Sequence, residues 1–384
     1  WSTELPPYYQ PWMDIAQHVT ELIYSHTLRS HILKMPLLNT RFLESHRELR
    51  LAHLALSVMT MGYVWQEGEN DTVKILPRNL AVPYWKVSQR LGLPPILTHA
   101  DAVLANWKKR DPHGPFDMEN LELLVTLPGG DSVRGFFMVT LLVELAAVPA
   151  IKSIPLVING VQCGDAETVT RALEEISQAM EGMTDALKLM HAYVKPDVFY
   201  GIIRIYLSGW KDNSSMPAGL VYEGIQAEPM EYSGGSAAQS SLLHCFDELL
   251  GVKHEENCAF LTRMRNYMPS SHKHLIQDIS LQPSLRGFVQ QEASELLTAA
   301  FQLCVTKLMA LRSYHINVVS CFITIPAARA RQLRRQGNSS QEETVSRAPT
   351  ALEETGTGGS GIMSFLKTVR DRTRDVSLGR EIEL

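Results

Sequence analysis

The chain has 384 residues, of which 36 are Lys or Arg and 41 are Asp or Glu, so its formal net charge is −5. Hydrophobic residues make up 45% and charged residues 20%, which is typical of a folded globular protein and excludes disorder over most of the length. Proteins that grip nucleic acid through its phosphates usually carry a basic excess, so the charge argues against nucleic acid as the main partner.

Helical periodicity dominates from the first third of the chain onward. A long helix is predicted from Arg41 to Val64, closed by Gly68. Residues 166–194 carry apolar side chains at steps of three and four, which indicates one buried face of a second long helix, and Asp165 is a candidate N-cap for it. Long runs of alternating Val, Ile and Thr are scarce. The sequence therefore predicts an all-α fold.

The most apolar stretch is residues 135–149, between these two helices. A membrane span needs about 20 apolar residues with few charges, whereas Glu144 lies near the middle of this stretch and Pro149 ends it. We therefore predict a buried core helix here, and no membrane span.

A polar turn cluster at residues 127–131 is a candidate domain boundary. It divides the chain into a smaller helical domain, 1–127, and a larger helical domain, 128–384. Residues 336–354 are polar and lack an apolar period, which predicts a mobile loop. Glycines at 356, 358 and 361 match G-x-G-x-x-G, but no strand is predicted before them, so a dinucleotide site is not indicated. A last amphipathic helix is expected from about Ile362.

Five cysteines are spread over the chain without a C-x-x-C pair. Their number is odd, and it is small for a disulfide scaffold in a chain of this length. We therefore expect reduced cysteines and a cytoplasmic protein.

His315 lies on an apolar helical stripe that runs from Phe301 to Phe322. One interpretation is a buried neutral histidine bonded to a carbonyl or carboxylate oxygen. The other is the single protein ligand of a haem, which needs one side chain from a helix that faces an apolar slot. The pattern alone permits both.

Arg204 is surrounded by apolar and aromatic residues over 199–210. A buried guanidinium needs a partner, because an uncompensated buried charge is costly. Tyr200 and Arg204 are four residues apart and share one helical face. The partner can be an acidic side chain of the protein, or the carboxylate of a ligand held by the guanidinium fork.

Several segments resemble the indoleamine 2,3-dioxygenase family, in order and over nearly the whole chain. The details are closer to the second vertebrate paralogue than to the first. The segments are 76–79 (LPRN), 104–109 (LANWKK), 204–211 (RIYLSGWK), 234–241 (GGSAAQSS), 311–315 (LRSYH) and 356–359 (GTGG).

The resemblance implies a haem dioxygenase with two helical domains and haem b between them. Both atoms of O₂ would be inserted across the C2–C3 bond of an indole, and L-tryptophan would give N-formylkynurenine in the kynurenine pathway, with a role in immunity. An electron donor is implied, because the resting ferric haem must be reduced before it binds O₂.

The resemblance also implies individual roles. His315 matches the iron ligand, and Arg312 a residue near the haem propionates. The implied substrate-binding residues are Phe136, Thr140, Phe199, Tyr200, Arg204, His99, Ala102 and Val103, with the turn Gly235, Ser236 and Ala237 over the haem and Thr357 in the mobile loop. No residue is assigned as a general base.

The chain departs from the family pattern at His99, Thr140, Tyr200 and Arg263, where the first paralogue has tyrosine, serine, phenylalanine and aspartate. Low activity toward tryptophan is therefore part of the expectation. An alternative function is a haem-binding signalling protein with vestigial catalysis. Residues around Tyr84 and Tyr222 resemble phosphotyrosine motifs that a recognition domain could bind.

Overall fold

A computed structural model of the chain describes residues 4–336, residue 350 and residues 361–378. Helices supply nearly all of its regular structure, so the predicted all-α class is confirmed. The α-helices are α1 (Gln10–Gln17), α2 (Val19–Tyr24), α3 (Leu28–Lys34), α4 (His46–Trp65), α5 (Arg78–Leu91), α6 (Gly130–Ala146), α7 (Val148–Cys163), α8 (Ala166–Lys188), α9 (Met190–Tyr193), α10 (Pro196–Val198), α11 (Ser241–Leu250), α12 (Cys258–Arg265), α13 (Ser270–Ser280), α14 (Leu285–Glu292), α15 (Glu295–Val319), α16 (Ile325–Gln336) and α17 (Ile362–Arg374).

Short 3₁₀ and π segments connect or extend these helices. The 3₁₀ segments are Pro7–Tyr9, Thr40–Phe42, Arg204–Leu207, Ala237–Gln239 and Glu255–Asn257, and the π segments are Ala100–Leu104, Phe199–Ile203 and Ser320–Thr324. Among the described residues there are two minimal sheets: Ile75–Leu76 pairs in parallel with Val221–Tyr222, and Lys108–Lys109 pairs antiparallel with Leu121–Glu122.

Local capping sets where the two long predicted helices begin. The helix predicted from Arg41 starts at His46, because Ser45 and Glu48 form a reciprocal capping box there. In α8 the Asp165 carboxylate accepts a hydrogen bond from the Thr168 N–H at 3.0 Å, which confirms the predicted N-cap. The apolar stripe predicted over 166–194 is divided between α8 and the short α9.

The buried apolar side chains form two large cores. The first takes most of its members from α1 to α6 and also from residues 190–232, and the second is built around α7, α8, α11 and α13 to α15. The division at residue 127 stays a prediction. The chain returns to the first core after α8, so the two cores are not consecutive in sequence.

Two continuous helical stretches among the described residues are long and apolar enough to cross a membrane by length and composition alone, Gly130–Cys163 and Glu295–Arg335. This is weak evidence for a span, because core helices of soluble proteins pass the same test. Here α7 and α15 both pack extensively along α8. Most of the predicted loop over 336–354, and Thr357, lie outside the described residues.

Candidate functional site

A cavity of about 310 Å³ is lined by side chains from both cores. Its size is typical of a small-molecule site, and its lining is mostly apolar. Most of the predicted site residues line it, although sequence places them far apart. They are His99, Ala102, Val103, Phe136, Thr140, Phe199, Arg204, Gly235, Ser236, Ala237, Arg312 and His315. Tyr200 is not among the lining residues, and Thr357 lies outside the described residues.

All three π-helical segments of the described chain contribute to the cavity wall. The first supplies Ala102 and Val103, the second Phe199, and the third Phe322 and Ile323. A π segment carries one more residue per turn than an α-helix, and such segments occur often at functional sites. Their concentration here supports the interpretation of the cavity as a binding site.

Three phenylalanines form an aromatic wall. The ring centroids of Phe136 and Phe199 lie 4.8 Å apart, and those of Phe199 and Phe322 lie 6.0 Å apart with the rings nearly perpendicular. These are favourable edge and tilted contacts between aromatic rings. They leave an apolar surface against which a flat ring can pack.

Arg204 is 1% exposed and lines the same cavity. Its guanidinium carbon lies 5.4 Å from the centroid of the Tyr200 ring, so the cation is held over an aromatic face. Burial lowers the pKa of Arg204 to about 10, which still leaves it charged at neutral pH. Tyr200 also packs with Ala327 and Ala330 of α16.

His315 reaches the cavity from the last third of α15. Burial, and secondly the charge of Arg312, lower the pKa of His315 to about 4. The imidazole is therefore neutral at pH 7, which is the form that ligates a metal. No hydrogen bond to either ring nitrogen is present within the described part of the chain. No cluster of three or more His, Cys, Asp or Glu side chains that could hold a metal ion occurs among the described residues.

One turn before His315, Arg312 is held by a buried network. Its Nη2 lies 2.7 Å from Oδ2 of Asp247, its Nη1 donates to the Thr373 hydroxyl of α17, and His254 Nε2 lies 2.7 Å from the same Asp247 oxygen. Burial opposes ionisation of Asp247, but the charge of Arg312 and the hydrogen bonds from His254 and Arg312 outweigh it and lower the pKa of Asp247 to about 2.

The network around Arg312 contains buried atoms without hydrogen-bond partners. Arg312 Nε, Asp247 Oδ1 and His254 Nδ1 are buried and have no hydrogen-bond partner in the described structure. Both Asp247 and Arg312 line the cavity. Buried polar groups are rarely left unpaired without a reason, so a polar group of a bound molecule is expected at this edge.

A second polar edge lies on α6. Phe136, Thr140 and Glu144 follow one another at four-residue steps and all line the cavity. Oε1 of Glu144 lies 2.9 Å from His99 Nε2 and accepts a hydrogen bond from the Ser240 hydroxyl at 2.6 Å. Burial opposes ionisation of Glu144, but the hydrogen bond and charge of His99 and the hydrogen bond from Ser240 together lower its pKa. The Thr140 hydroxyl donates to the Phe136 carbonyl, which leaves its oxygen able to accept a hydrogen bond.

Buried hydrogen bonds hold the segment of the cavity wall that contains His99. Asp101, fully buried, lies 2.7 Å from His53 Nδ1 through Oδ1, and its Oδ2 accepts hydrogen bonds from the backbone and hydroxyl of Thr98. The backbone N–H of His99 donates to Gln239 Oε1 at 3.0 Å. These bonds tie the 98–104 wall to α4 and to the turn that contains Ser236 and Ala237.

Arg263 lies on α12 and does not line the cavity. Its guanidinium carbon is 5.4 Å from the Phe260 ring centroid, and its Nε is buried without a partner in the described structure. Phe260 contacts Phe365 of α17, whose ring does line the cavity, with centroids 5.1 Å apart. Arg263 is thus connected to the site through two aromatic rings, and its helix also lines the cavity through Leu261.

The cavity residues that were not predicted as site residues include Glu144, Phe322 and Asp247. Glu144 continues the spacing of Phe136 and Thr140 by one further turn, and Phe322 lies on the apolar stripe of His315, so a signal existed for both. Asp247 lies 65 residues from its partner Arg312, and no local pattern marks it.

Comparisons of the sequence with known proteins identify the family. The family model for indoleamine 2,3-dioxygenase matches residues 2–376. Indoleamine 2,3-dioxygenase 2 of Mus musculus is 51% identical over 375 residues, which cover 97% of this chain and 90% of that protein. Indoleamine 2,3-dioxygenase 1 of Rattus norvegicus is 45% identical over 379 residues, 98% of this chain and 91% of that protein. A protein named myoglobin from Haliotis madaka is 38% identical over 375 residues, 97% and 93% of the two chains. The chain belongs to the indoleamine 2,3-dioxygenase family, and its identity to the second paralogue exceeds its identity to the first.

Proposed function

We propose that the protein is a haem-dependent dioxygenase that inserts both atoms of O₂ across the indole C2–C3 bond of L-tryptophan to give N-formylkynurenine. The observation that carries the proposal is the shared cavity, in which a neutral histidine, a buried arginine and three phenylalanines converge: His315, Arg204, Phe136, Phe199 and Phe322. Relatives that are 45–51% identical over nearly the whole chain bear the name of this activity.

The residues of the cavity fit haem b. His315 offers an imidazole that burial keeps neutral and that lacks a protein hydrogen-bond partner among the described residues. Arg312 lines the cavity and its buried Nε has no partner in the described structure, so this cation marks an edge suited to a propionate of such a group. When bound and reduced, the haem supplies the reactivity toward O₂ that amino acid side chains lack, so an electron donor is a necessary partner.

The chain's own residues would bind and orient the indole. Arg204 would hold the substrate carboxylate through its planar fork, and the rings of Phe136 and Phe199 would pack against the indole. The Thr140 oxygen can accept a hydrogen bond from the ring N–H, because its own proton is donated to the Phe136 carbonyl. Fixing the ring in one orientation is the main contribution that these residues make to rate.

Two further properties belong to the proposal. All five cysteines are free, which supports a reducing, cytoplasmic location. The departures from the family pattern at His99, Thr140 and Tyr200 change the polarity on and near the cavity wall, which supports low turnover of L-tryptophan.

The alternative is a haem protein with vestigial catalysis. One observation favours it: a relative named myoglobin aligns with 97% of the chain, so this family includes a protein that does not bear the name of a dioxygenase. The signalling part of the alternative has less support. Tyr84 and Tyr222 are both 0% exposed, and their hydroxyls are bonded to Ser57 and to the Pro95 carbonyl at 2.6 Å. A kinase or a recognition domain would reach either tyrosine only after local unfolding.

The decisive experiment combines spectroscopy with turnover. Protein reconstituted with haem and a reductant should show a Soret band and convert L-tryptophan, whereas His315→Ala should lose most of the band while far-ultraviolet circular dichroism is retained. His18→Ala, at an exposed histidine, is the matched control. Full haem retention in His315→Ala would overturn the ligand assignment, and a normal Soret band without turnover would favour the alternative.

Arg204→Leu tests the substrate assignment. Hydrogen bonds to charged groups contribute about 1.5–3 kcal/mol, so the KM for L-tryptophan should rise by about 10- to 150-fold with haem content unchanged. Tryptamine lacks the carboxylate and should be affected little. Arg204→Lys keeps the charge without the fork and should give an intermediate loss. Equal losses for both substrates would mean that Arg204 forms a structural ion pair.

A further inference from the structure

A second, smaller cleft of about 270 Å³ lies outside the main cavity, where α4, the end of α5 and the start of α13 meet. Its polar lining comes from His46, Arg50, Arg90, Ser270 and Ser271, and none of its lining residues is acidic. Three side chains that are or can become cationic therefore face one small volume.

Arg50 is the central element of this cleft. It is only 6% exposed, its Nη2 donates to the Ala100 carbonyl at 2.7 Å, and its buried Nε has no partner in the described structure. Asp101, whose charge acts on Arg50, uses both carboxylate oxygens in bonds to His53 and Thr98. The buried guanidinium is thus only partly satisfied by the protein.

The N-terminus of α13 closes the cleft from the other side. Its N-cap is Pro269, which has no side chain able to cap the helix. The N–H groups of His272 and Lys273 donate to the Pro269 carbonyl, whereas those of Ser270 and Ser271 have no partner in the described part of the chain. Unsatisfied N–H groups and the positive end of the helix dipole attract anions.

Arg90 completes the basic wall. Its two terminal nitrogens donate to the Thr40 and Leu43 carbonyls, which fixes the guanidinium without neutralising it. The one acidic residue in the first turn of α4, Glu48, directs Oε2 to the backbone N–H groups of Glu44 and Ser45, and so it is engaged as a cap. No carboxylate among the lining residues competes for the cleft.

We propose that this cleft is a binding site for a phosphate group, held by Arg50, Arg90 and the first N–H groups of α13. A tetrahedral oxyanion offers acceptors in several directions, which matches two guanidinium groups, two N–H groups and two serine hydroxyls from three elements. The volume exceeds that of a free phosphate ion, so a phosphate monoester also fits. The site is independent of the proposed dioxygenase activity.

The test measures binding to the full chain by calorimetry and by thermal melting, at ionic strength held constant with sodium chloride. Inorganic phosphate should bind with a saturable heat and should raise the melting temperature more than chloride does. Glycerol phosphate is the second probe. Tighter binding of the ester than of the free ion would identify a phosphate monoester as the preferred ligand, and equal or weaker binding would identify the free ion.

Two variants locate the site. Arg90→Gln keeps side-chain donors but removes the charge, and it should weaken binding at least tenfold. Ser271→Asp places a carboxylate at the exposed start of α13 and should abolish binding, while the folded state is kept because acids are favourable at a helix N-terminus. Gln277→Glu adds a carboxylate at an exposed position of the same helix outside the cleft lining; it is the control and should bind as the wild type does. Absence of saturable binding to the wild type, or unchanged binding in both Arg90→Gln and Ser271→Asp, would overturn the proposal.

Discussion

Two buried aspartates of this protein are each paired with a histidine, and they differ in how completely they are satisfied. Asp101 uses both carboxylate oxygens, and its partner His53 also bonds Ser88 through its second ring nitrogen. Asp247 receives both Arg312 and His254 on one oxygen and leaves the other unpaired.

The difference separates a group that holds the fold from a group that is prepared for a ligand. The Asp101 network lies behind the cavity wall and needs nothing further. The Asp247 network borders the cavity and contains three unpaired buried atoms, each of which costs about 1–3 kcal/mol until it finds a partner. Asp101 is expected to matter for stability with or without a cofactor, and Asp247 to matter more when the cavity is filled.

The largest effect is expected at Asp101. Asp101→Ala leaves His53 and Thr98 without their partner, and removing one member of a buried pair costs about 3–5 kcal/mol. Urea unfolding should show this loss both with and without haem. Asp185→Ala removes an exposed partner of Lys188 and should change stability by less than about 1 kcal/mol. Similar losses of stability in Asp101→Ala and Asp185→Ala would contradict the structural role of Asp101.

The contribution of Asp247 to the stability of the fold should depend on pH. Its pKa is about 2 in the folded protein against an ordinary value of 3.8, so the ionised carboxylate contributes about 2 kcal/mol of stability above pH 4. This contribution is lost as the pH falls from about 4 to about 2, because over that interval the unfolded state takes up the proton and the folded state does not. The stability gap between wild type and Asp247→Asn should therefore narrow over that interval.

Asp185→Asn changes an exposed carboxylate, so its free energy of unfolding should change with pH as that of the wild type does over the same interval. If the free energy of unfolding of Asp247→Asn also followed that of the wild type, the Asp247 carboxylate would not be the titrating group. Addition of haem should widen the gap at pH 7, because Asp247 holds Arg312 in place and the Arg312 charge would then face a propionate.

The smallest effect is expected at His254. His254→Phe removes one hydrogen bond to Asp247, but it also removes the unpaired Nδ1 atom, and Arg312 still compensates the carboxylate. The expected loss of stability is about 1 kcal/mol or less. His53→Phe should cost several times more, because it leaves Asp101 buried without its main partner. Similar losses in the two variants would show that both networks are equally structural.

The long helices α4 and α8 and the N-cap of α8 could be predicted from local sequence, because capping and apolar stripes depend on residues within a few positions of each other. The start of α4 differed from the prediction because a capping box at Ser45 sets it. Glu144 could have been found by extending the spacing of Phe136 and Thr140 by one turn. The pairing of Asp247 with Arg312 could not, because a contact across 65 residues depends on how α11 and α15 pack.

Local sequence also could not predict which side chains are buried, or which distant segments meet at one site. The motifs around Tyr84 and Tyr222 predict exposed recognition segments, and only the packed structure shows that both rings are 0% exposed. The phosphate cleft draws its residues from three segments near positions 46–50, 90–93 and 269–271, none of which carries a phosphate-binding motif of its own.

The π segments along the cavity wall have a consequence for how this pocket can diverge between relatives. A π segment is an α-helix with one residue inserted, so loss of a single codon restores the regular helix. Deleting one residue within Phe199–Ile203 would turn the following chain by about 100° around the helix axis and would carry Arg204 away from the cavity. One-codon deletions or insertions at these three points therefore offer a short genetic route to a differently shaped pocket on an unchanged core.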